Sequence, residues 1–512
     1  MSASYILSID QGTTSSRAII FSNAGEVVSS GQHSFEQIYP QPGWVEHNPH
    51  AIWDTVYRSA QDALNHASLN AHDISAIGIT NQRETVIMWD KKTGEPVANA
   101  IVWQDRRTAE KIDALCSASD IAEEVASRSG LVMNAYFSAS KIGWLLDNIS
   151  GLRTRAQAGE IAFGTVDSWL VYKLTNGASH ITDASNASRT LLYNIHKNQW
   201  DESLLSLFDI PASILPEIVP SSGMLAQCDA SLFGAAIPIT AIAGDQQAAT
   251  FGHLCTEKGS AKNTYGTGCF LVTPTENSVV PSSAKLLSTV AWRIGEHVSY
   301  AQEGSIFAAG AAINWAATHM GLGDNGAELS ALASTVEHTG GVYFVPALAG
   351  LGAPHWDHHA QGTWLGISAA TTRAHMARAV LEGIAFQVQD MIIAMNKDLP
   401  TPLSHLKVDG GVCNSDILLQ FQADISNITI CRPDNIEATA QGVAYLAGLA
   451  IGIWHSIDDL HALKTPHTEF SPKMDEKTRD NYYQNWKNAV TLARTWGKMQ
   501  HELSPQTEKN AA

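Results

Sequence analysis

The sequence predicts an α/β protein made of two similarly built domains with a cleft between them. Three observations carry this reading. Two β-hairpins with glycine- and hydroxyl-rich turns, residues 5–21 and 261–272, stand about half a chain apart, each at the head of a long α/β stretch. Between them, the apolar run 237–242 reaches Gly244 and delivers Asp245, Gln246 and Gln247 together at the start of an Ala-rich helix. A third glycine feature, Gly410 and Gly411, ends a strand ahead of a helical run from Ser415.

In chain order, residues 5–10 (YILSID) read as a strand, 11–17 (QGTTSSR) as a turn loaded with hydroxyls and backbone donors, and 18–21 as the returning strand. Such a turn can hold phosphates. Asp10 could bind Mg²⁺ through water, and Gly12, Thr13, Thr14 and Arg17 offer donors to a polyphosphate. An ordinary polar hairpin has the same pattern. The sequence contains no G-x-x-x-x-G-K-[ST], so a P-loop is excluded. Asp245, just past a strand and beside two amides, could accept a hydroxyl proton or hold a metal-bound water, as phosphoryl or acyl transfer requires; it could equally be a helix N-cap. Residues 261–272 repeat the hairpin around Gly266, Thr267 and Gly268. The Ala- and Gly-rich runs 308–317 and 438–454 are expected to be helices buried against a sheet or a ligand. At Gly410 and Gly411 the backbone could approach a flat adenine closely. After Pro466 the spacing predicts a closing surface helix, with a polar disordered end from about Ser504.

Composition narrows the partners. The 512 residues are 45% hydrophobic and 16% charged, with 32 Lys+Arg against 50 Asp+Glu, a net charge of −18. A surface that acidic repels nucleic acid and anionic membranes, so bound phosphates must be met by local backbone donors and a few placed cations. The six cysteines are scattered without C-x-x-C spacing, which fits a reducing compartment. The N-terminal residues lack a basic signal region, and no apolar run reaches the ~20 residues of a membrane span. A cytoplasmic protein without membrane insertion is expected.

Together, the three loops resemble the phosphate, phosphate and adenosine loops of the actin-like (ribonuclease H-like) ATPase fold, and within it the FGGY carbohydrate kinases. The family's two fingerprints correspond to YFSASKIGWLLDN at residues 136–148 and GTWLGISAATTRAHMARAVLE at 362–382. The resemblance runs from about Tyr5 to Trp496, through PGWVEH at Pro42, GITNQRET at Gly78, WQDRRT at Trp103, GTVDSWL at Gly164, TDASNASRT at Thr182, GDQQAA at Gly244, KNTYGTGCF at Lys262 and GLGAPHWD at Gly350. It implies transfer of the ATP γ-phosphoryl group to a primary hydroxyl of glycerol, giving sn-glycerol 3-phosphate and ADP. It also implies Mg²⁺ near Asp10 and Asp245, and a homo-oligomer, dimer or tetramer.

By the same resemblance the polyol pocket comprises Arg83, Glu84, Trp103, Tyr136, Asp245, Gln246 and Phe270, with Asp245 catalytic. The nucleotide falls to Thr13, Thr14, Ser15 and Arg17 on the first loop, Gly266, Thr267 and Gly268 on the second, and Gly310, Asn314, Gly411 and Ser415 at the adenosine end. Two positions depart from the family: Asn314 stands where Gln is usual and Ser415 where Asn is usual, with Asn414 one residue early. The implied domains are 1–253, carrying the first phosphate loop, the polyol pocket and Asp245; 254–460, carrying the second phosphate loop and the adenosine loop; and 461–512, a helix and polar tail. The chemistry of the pocket suits a small triol: Arg83 donates, Glu84 accepts, and Trp103 and Phe270 cover the CH edge. An analogue lacking a hydroxyl is expected to leave Arg83 or Glu84 unpaired. Standing alone, Arg83 and Glu84 could be a surface ion pair. The alternatives are another FGGY sugar or polyol kinase, an actin-like chaperone or filament protein, and a non-catalytic actin-like ATP-binding regulator. A chaperone or filament has no use for the NQRET, WQDRR and GTGCF side chains, and a silent regulator is expected to lose Asp245 or Thr267.

Overall fold

The run YILSIDQ forms strand β1 (Tyr5–Gln11) because alternate residues find separate cores. Leu7 and Ile9 pack with Ile52, Val56 and Ala60 of helix α1 (Pro49–Ala67), whereas Ile6 joins Phe21, Val443 and Ala444 on the opposite face. A strand covered on both sides is the mark of a sheet centre. The computed structural model describes residues 4–117, 120–434, 437–463 and 466–503.

Two copies of one motif build the sheet. In the first, β1, β2 (Ser15–Ser22) and β3 (Val27–Ser34) run antiparallel, and β1 pairs in parallel with β4 (Ile74–Asn81). Beyond β5 (Ser222–Gln227), β6 (Pro238–Gly244) lies parallel to β4. In the second copy, β7 (Ser260–Tyr265) and β8 (Cys269–Glu276) are antiparallel, and β9 (Leu287–Ile294) and β10 (His297–Ile306) extend that meander. β7 also pairs in parallel with β11 (His405–Asp409), which pairs in parallel with β12 (Thr429–Pro433). The edge strand β13 (His467–Phe470) is antiparallel to β12. The spatial order is β13-β12-β11-β7-β8-β10-β9-β5-β6-β4-β1-β2-β3. Each half therefore has a three-stranded antiparallel start whose first strand leads into two parallel strands. The halves meet between β5 and β9 through the single register position Ser222–Ile294.

The helices that shape the cleft are α2 (Ser138–Asn148), α3 (Asp245–Gly252), α4 (Gly310–Thr318), α5 (Arg373–Asp398), α6 (Asp416–Ser426), α7 (Ala438–Ala450) and α8 (Glu476–Leu503). α7 packs on β1, β4 and β6, and crosses α3 with backbones nearly touching. A Cβ on Gly442 would lie 1.8 Å from the Ala248 carbonyl oxygen, and one on Gly252 2.0 Å from that of Ala438. Only glycine fits that crossing.

Several boundaries differ from those expected. The first turn is only residues 12–14, so Ser15 and Arg17 lie inside β2. The apolar run after Ala438 stops being helical at Ala450, and Trp454 folds back to meet Tyr445 edge-on with ring centroids 5.3 Å apart. The tail first adds β13 to the sheet, and its helix starts only at Glu476. The polar end from Ser504 lies outside the described residues. All six cysteines are free thiols, and no helix among the described residues is long and apolar enough to cross a membrane.

Candidate active site

β6 ends at Gly244 and α3 begins with Asp245, so the strand-to-helix switch sets a carboxylate at the head of the helix. Gly244, not Asp245, is the N-cap residue. Asp245 Oδ1 accepts a hydrogen bond from the Gln246 amide at 2.7 Å and lies 3.1 Å from Arg83 Nε. Both contacts use Oδ1. The side chain is 31% exposed, and neither contact uses Oδ2.

Arg83 and Glu84 follow β4 and are buried, so they are no surface ion pair. Arg83 donates through Nη1 to Glu303 Oε2 (2.6 Å) and Gln247 Oε1 (3.2 Å), and through Nη2 to Glu303 Oε1 (3.1 Å). With Nε on Asp245, a guanidinium with five N–H groups keeps one Nη2 hydrogen in hand. Glu84 stands at φ 62°, a conformation that costs a non-glycine residue of order 1–3 kcal/mol. It is held there by Ser138 Oγ, which donates to its carbonyl at 2.9 Å, and by Arg189 Nε, which donates to Oε1 at 2.7 Å. Arg189 Nη2 also reaches Glu303 Oε1 at 2.9 Å. Burial alone would push the Glu303 carboxyl up, but the Arg189 and Arg83 guanidiniums outweigh it and hold the group at about 2. The expectation that Arg83 and Glu84 stand unpaired without a polyol is thereby corrected. Each is already committed to protein partners, and what remains open is one Arg83 donor and the second Glu84 oxygen.

Sequence reasoning missed Arg189 and Glu303. Arg189 lies in TDASNASRT, and Glu303 is a lone carboxylate in AQEGSI at the end of β10; no spacing links them to Arg83. Only the fold joins them.

The pocket wall is aromatic. Trp103 meets Tyr136 edge-on with centroids 5.7 Å apart and Phe270 at 6.3 Å, and these rings enclose, with Thr267 and Gly268, a cavity of about 160 Å³. Lys141 of α2 fixes the Tyr136 segment by donating to the carbonyls of Ala135, Tyr136 (2.9 Å) and Phe137 (3.3 Å). Trp103 Nε1 donates to Thr13 Oγ1 at 3.1 Å, which ties the wall to the first turn. Gln246 spends its Oε1 on Lys262 Nζ, leaving only its amide nitrogen for a ligand; Lys262 also donates to Thr264 Oγ1 at 2.8 Å.

On the first turn, Thr14 is exposed and Thr13 half-buried. Ser15 Oγ accepts from Gln32, and the Arg17 guanidinium pairs with Glu437 and with Gln32 Oε1 at 3.0 Å, so Arg17 is no free cation of a loop. Burial raises the Asp10 carboxyl to about 7; nearby Arg17 opposes this, and the Asp245 and Glu437 charges add to it. Asp10 and Asp245 are thus close enough for their charges to act on each other.

On the second turn Thr267 is exposed, and the carbonyls of Gly266 and Thr267 cap the start of α4, accepting from Gly310 N (2.9 Å) and Ala309 N (2.9 Å) respectively. A Cβ at Gly310 would sit 2.6 Å from the Gly266 oxygen. Asn314 is exposed on α4, and Gly411 faces open space. Ser415, by contrast, is buried: its Oγ caps α6 and bonds Ser330 Oγ at 2.6 Å, while Asn414 beside it is exposed. Of the adenosine-end residues, Ser415 is therefore the one the fold turns inward. No group of three or more His, Cys, Asp or Glu that could hold a metal exists among the described residues, so a cation here would be shared with phosphate oxygens.

Residues 5–252 match the FGGY family of carbohydrate kinases, N-terminal domain, and residues 261–451 match its C-terminal domain. The chain is 51% identical over 492 residues to a glycerol kinase of Deinococcus radiodurans, covering 96% of this chain and 98% of that one. It is 52% identical over 495 residues to a glycerol kinase of Dichelobacter nodosus, covering 96% and 99%. Among solved structures, Plasmodium falciparum glycerol kinase with ADP superposes with a TM-score of 0.89 at 36% identity, covering 96% of this chain and 98% of that one. A gluconate kinase from Lactobacillus acidophilus shares the fold, with a TM-score of 0.85 at 22% identity over 97% and 99% of the two chains.

Proposed function

The chain belongs to the FGGY family of carbohydrate kinases, and from that premise we propose how its residues carry out the reaction. It phosphorylates glycerol with ATP, giving sn-glycerol 3-phosphate and ADP. The observation that carries the residue assignment is convergence: the first turn is bonded to Trp103, and the second lines the same small cavity as Trp103, Tyr136 and Phe270. A polyol in that pocket is placed between both phosphate-binding turns.

In this reading three positions are open to a triol, which lie outside the lining of that cavity and are reached past Phe270, whose ring centroid is 5.9 Å from Arg83 Cζ: the spare Arg83 Nη2 hydrogen, Glu84 Oε2 and Asp245 Oδ2. Asp245 accepts the hydrogen bond of the attacking hydroxyl and takes its proton as the bond to phosphorus forms. Arg83 Nε, 3.1 Å from Oδ1, fixes the plane of that carboxylate. The Gly12 and Gly266 amides close their own turns, donating to the Ser15 and Gly268 carbonyls at 2.9 Å each, so the backbone amides of residues 13–14 and 267–268, with the Thr13, Thr14 and Thr267 hydroxyls, receive the phosphate oxygens. Gly310, Asn314 and Gly411 flank the nucleoside, with Asn414 rather than Ser415 presented beside them. Residues 1–253 and 254–460 act as the two jaws, the stretch 461–512 closing the second, and their approach excludes water from the γ-phosphate.

Mg²⁺ fits this donor set. A half-buried Asp10 whose carboxyl is driven up to about 7 beside Asp245 gains by meeting a cation. When bound by Asp10, Asp245 and phosphate oxygens, Mg²⁺ supplies neutralisation of the charge on the transferring group. A cytoplasmic homo-oligomer, dimer or tetramer, belongs to the same reading, as does the absence of nucleic-acid binding, which the net charge of −18 supports.

Coupled ADP release across glycerol, dihydroxyacetone, xylulose, ribulose and gluconate tests the substrate. Glycerol is expected to give the highest kcat/KM, with longer sugars disfavoured by the aromatic wall of Trp103, Tyr136 and Phe270 and dihydroxyacetone poor because it lacks one hydroxyl donor. A higher kcat/KM for xylulose or ribulose would move the protein to another member of the family.

A further inference from the structure

We propose that Glu303 and Arg189 are positioning residues for polyol recognition: with Arg83 and Glu84 they form a buried square through which the second half of the molecule fixes binding groups that belong to the first. The proposal rests on the reading of Arg83, Glu84 and Asp245 as the polyol-binding groups.

Arg83, Glu84 and Arg189 all come from the first half, whereas Glu303 stands on β10 in the second. Each Glu303 oxygen is used: Oε2 by Arg83, and Oε1 by Arg83, Arg189 and, at 3.4 Å, Ser305 Oγ. Ser305 is paired across the ladder with Phe270, so Glu303 and one wall of the pocket ride on the same pair of strands. Arg189 in turn holds Glu84 Oε1, which leaves Oε2 as the oxygen available to a hydroxyl. One Arg189 nitrogen, Nη1, is buried without a partner, so the square has no surplus of acceptors.

The alternatives open to Arg83 give the argument its direction. After Glu303, its neighbouring carboxylates are Asp245 at 3.1 Å and Glu84 at 3.9 Å, the very groups assigned to substrate hydroxyls. A buried guanidinium deprived of Glu303 turns to them. Glu303 therefore keeps Arg83 from consuming the acceptors that the polyol needs.

The test compares wild type, Glu303→Gln, and the charge-balanced double variant Arg189→Gln/Glu303→Gln by steady-state kinetics and thermal melting. For Glu303→Gln the KM for glycerol is expected to rise and kcat to fall by at least ~10-fold each, the effect of losing a charge-assisted hydrogen bond, with the KM for ATP within about 2-fold. The double variant is expected to regain melting temperature toward wild type and to keep the raised KM for glycerol. If the single variant does not fold, the double variant carries the same readout. Unchanged glycerol kinetics in a folded variant, a parallel rise in both KM values, recovery of the glycerol KM in the double variant, or failure of both variants to fold would each overturn the proposal. Wild-type enzyme that turns over no glycerol would instead defeat the underlying assignment, which separates the two failures.

Discussion

A carboxylate that accepts a hydroxyl proton must keep one oxygen free, and at Asp245 the Arg83 guanidinium and the Gln246 amide both sit on Oδ1, which leaves Oδ2. Asp245→Asn preserves size and removes charge, so kcat is expected to fall at least ~100-fold while the KM for ATP moves little. A variant with near wild-type kcat would remove Asp245 from this role. Asp167 shows the opposite use of a buried acid. Its oxygens accept from Thr165 (2.5 Å) and Thr182 (2.7 Å) but from no cation among the described residues, and burial, with Asp183 nearby, raises the carboxyl to about 7 against the lowering effect of these hydroxyls and the Ser168 amide. Because the folded value lies above the unfolded one, ionisation costs the fold nothing below about pH 4 and increasingly more until about pH 7. Asp167→Asn should then stabilise the protein at pH 8 by on the order of 1–4 kcal/mol and change little at pH 4, read from denaturant midpoints. An equal shift at both pH values would contradict this. At this scale the placement of Asp245 was legible in the sequence, since it follows a strand and Gly244; Arg189 and Glu303 were not, because their partners are set by tertiary contacts alone.

The helix that carries Asp245 is positioned by a second helix rather than by its own sheet. α3 and α7 cross at Gly252 and Gly442 with a would-be Cβ 2.0 Å or less from backbone oxygen, so Gly442→Ala forces the pair apart. Overpacking of this kind costs about 1–3 kcal/mol. Gly442→Ala is accordingly expected to lower the melting temperature and, by shifting the first residue of α3, to lower kcat for glycerol; a lower melting temperature with unchanged kcat would mean that α3 is held independently. The hairpins, the strand into Gly244 and the Ala-rich helices were legible because period-two burial and glycine punctuation are local signals. Strand β13 was not, since HTEF has one buried residue and owes its structure to the free edge of β12. Arg17 was read as part of a turn for a related reason: the polar strand residues Ser15 and Ser16 look like turn residues until β3 pairs beside them.

The whole molecule is a duplication, and function follows from what each copy contributes. The first half brings Asp10, the first turn, Arg83, Glu84 and Asp245; the second brings Thr267, Phe270, Glu303, Gly310 and Gly411. Buried polar ties cross between them at Arg83–Glu303, Gln246–Lys262 and His253–Asp409, the last at 2.7 Å. The two turns half a chain apart made the duplication visible in sequence, whereas these ties were not, because each joins residues with no shared spacing. The most direct measurement is ³¹P NMR of the enzyme with ATP, Mg²⁺ and glycerol. One phosphomonoester resonance, that of sn-glycerol 3-phosphate, should grow in step with ADP while orthophosphate stays at background. ADP accompanied by orthophosphate and no phosphomonoester would show that the cleft hydrolyses ATP without positioning a polyol, and would contradict the transfer to glycerol.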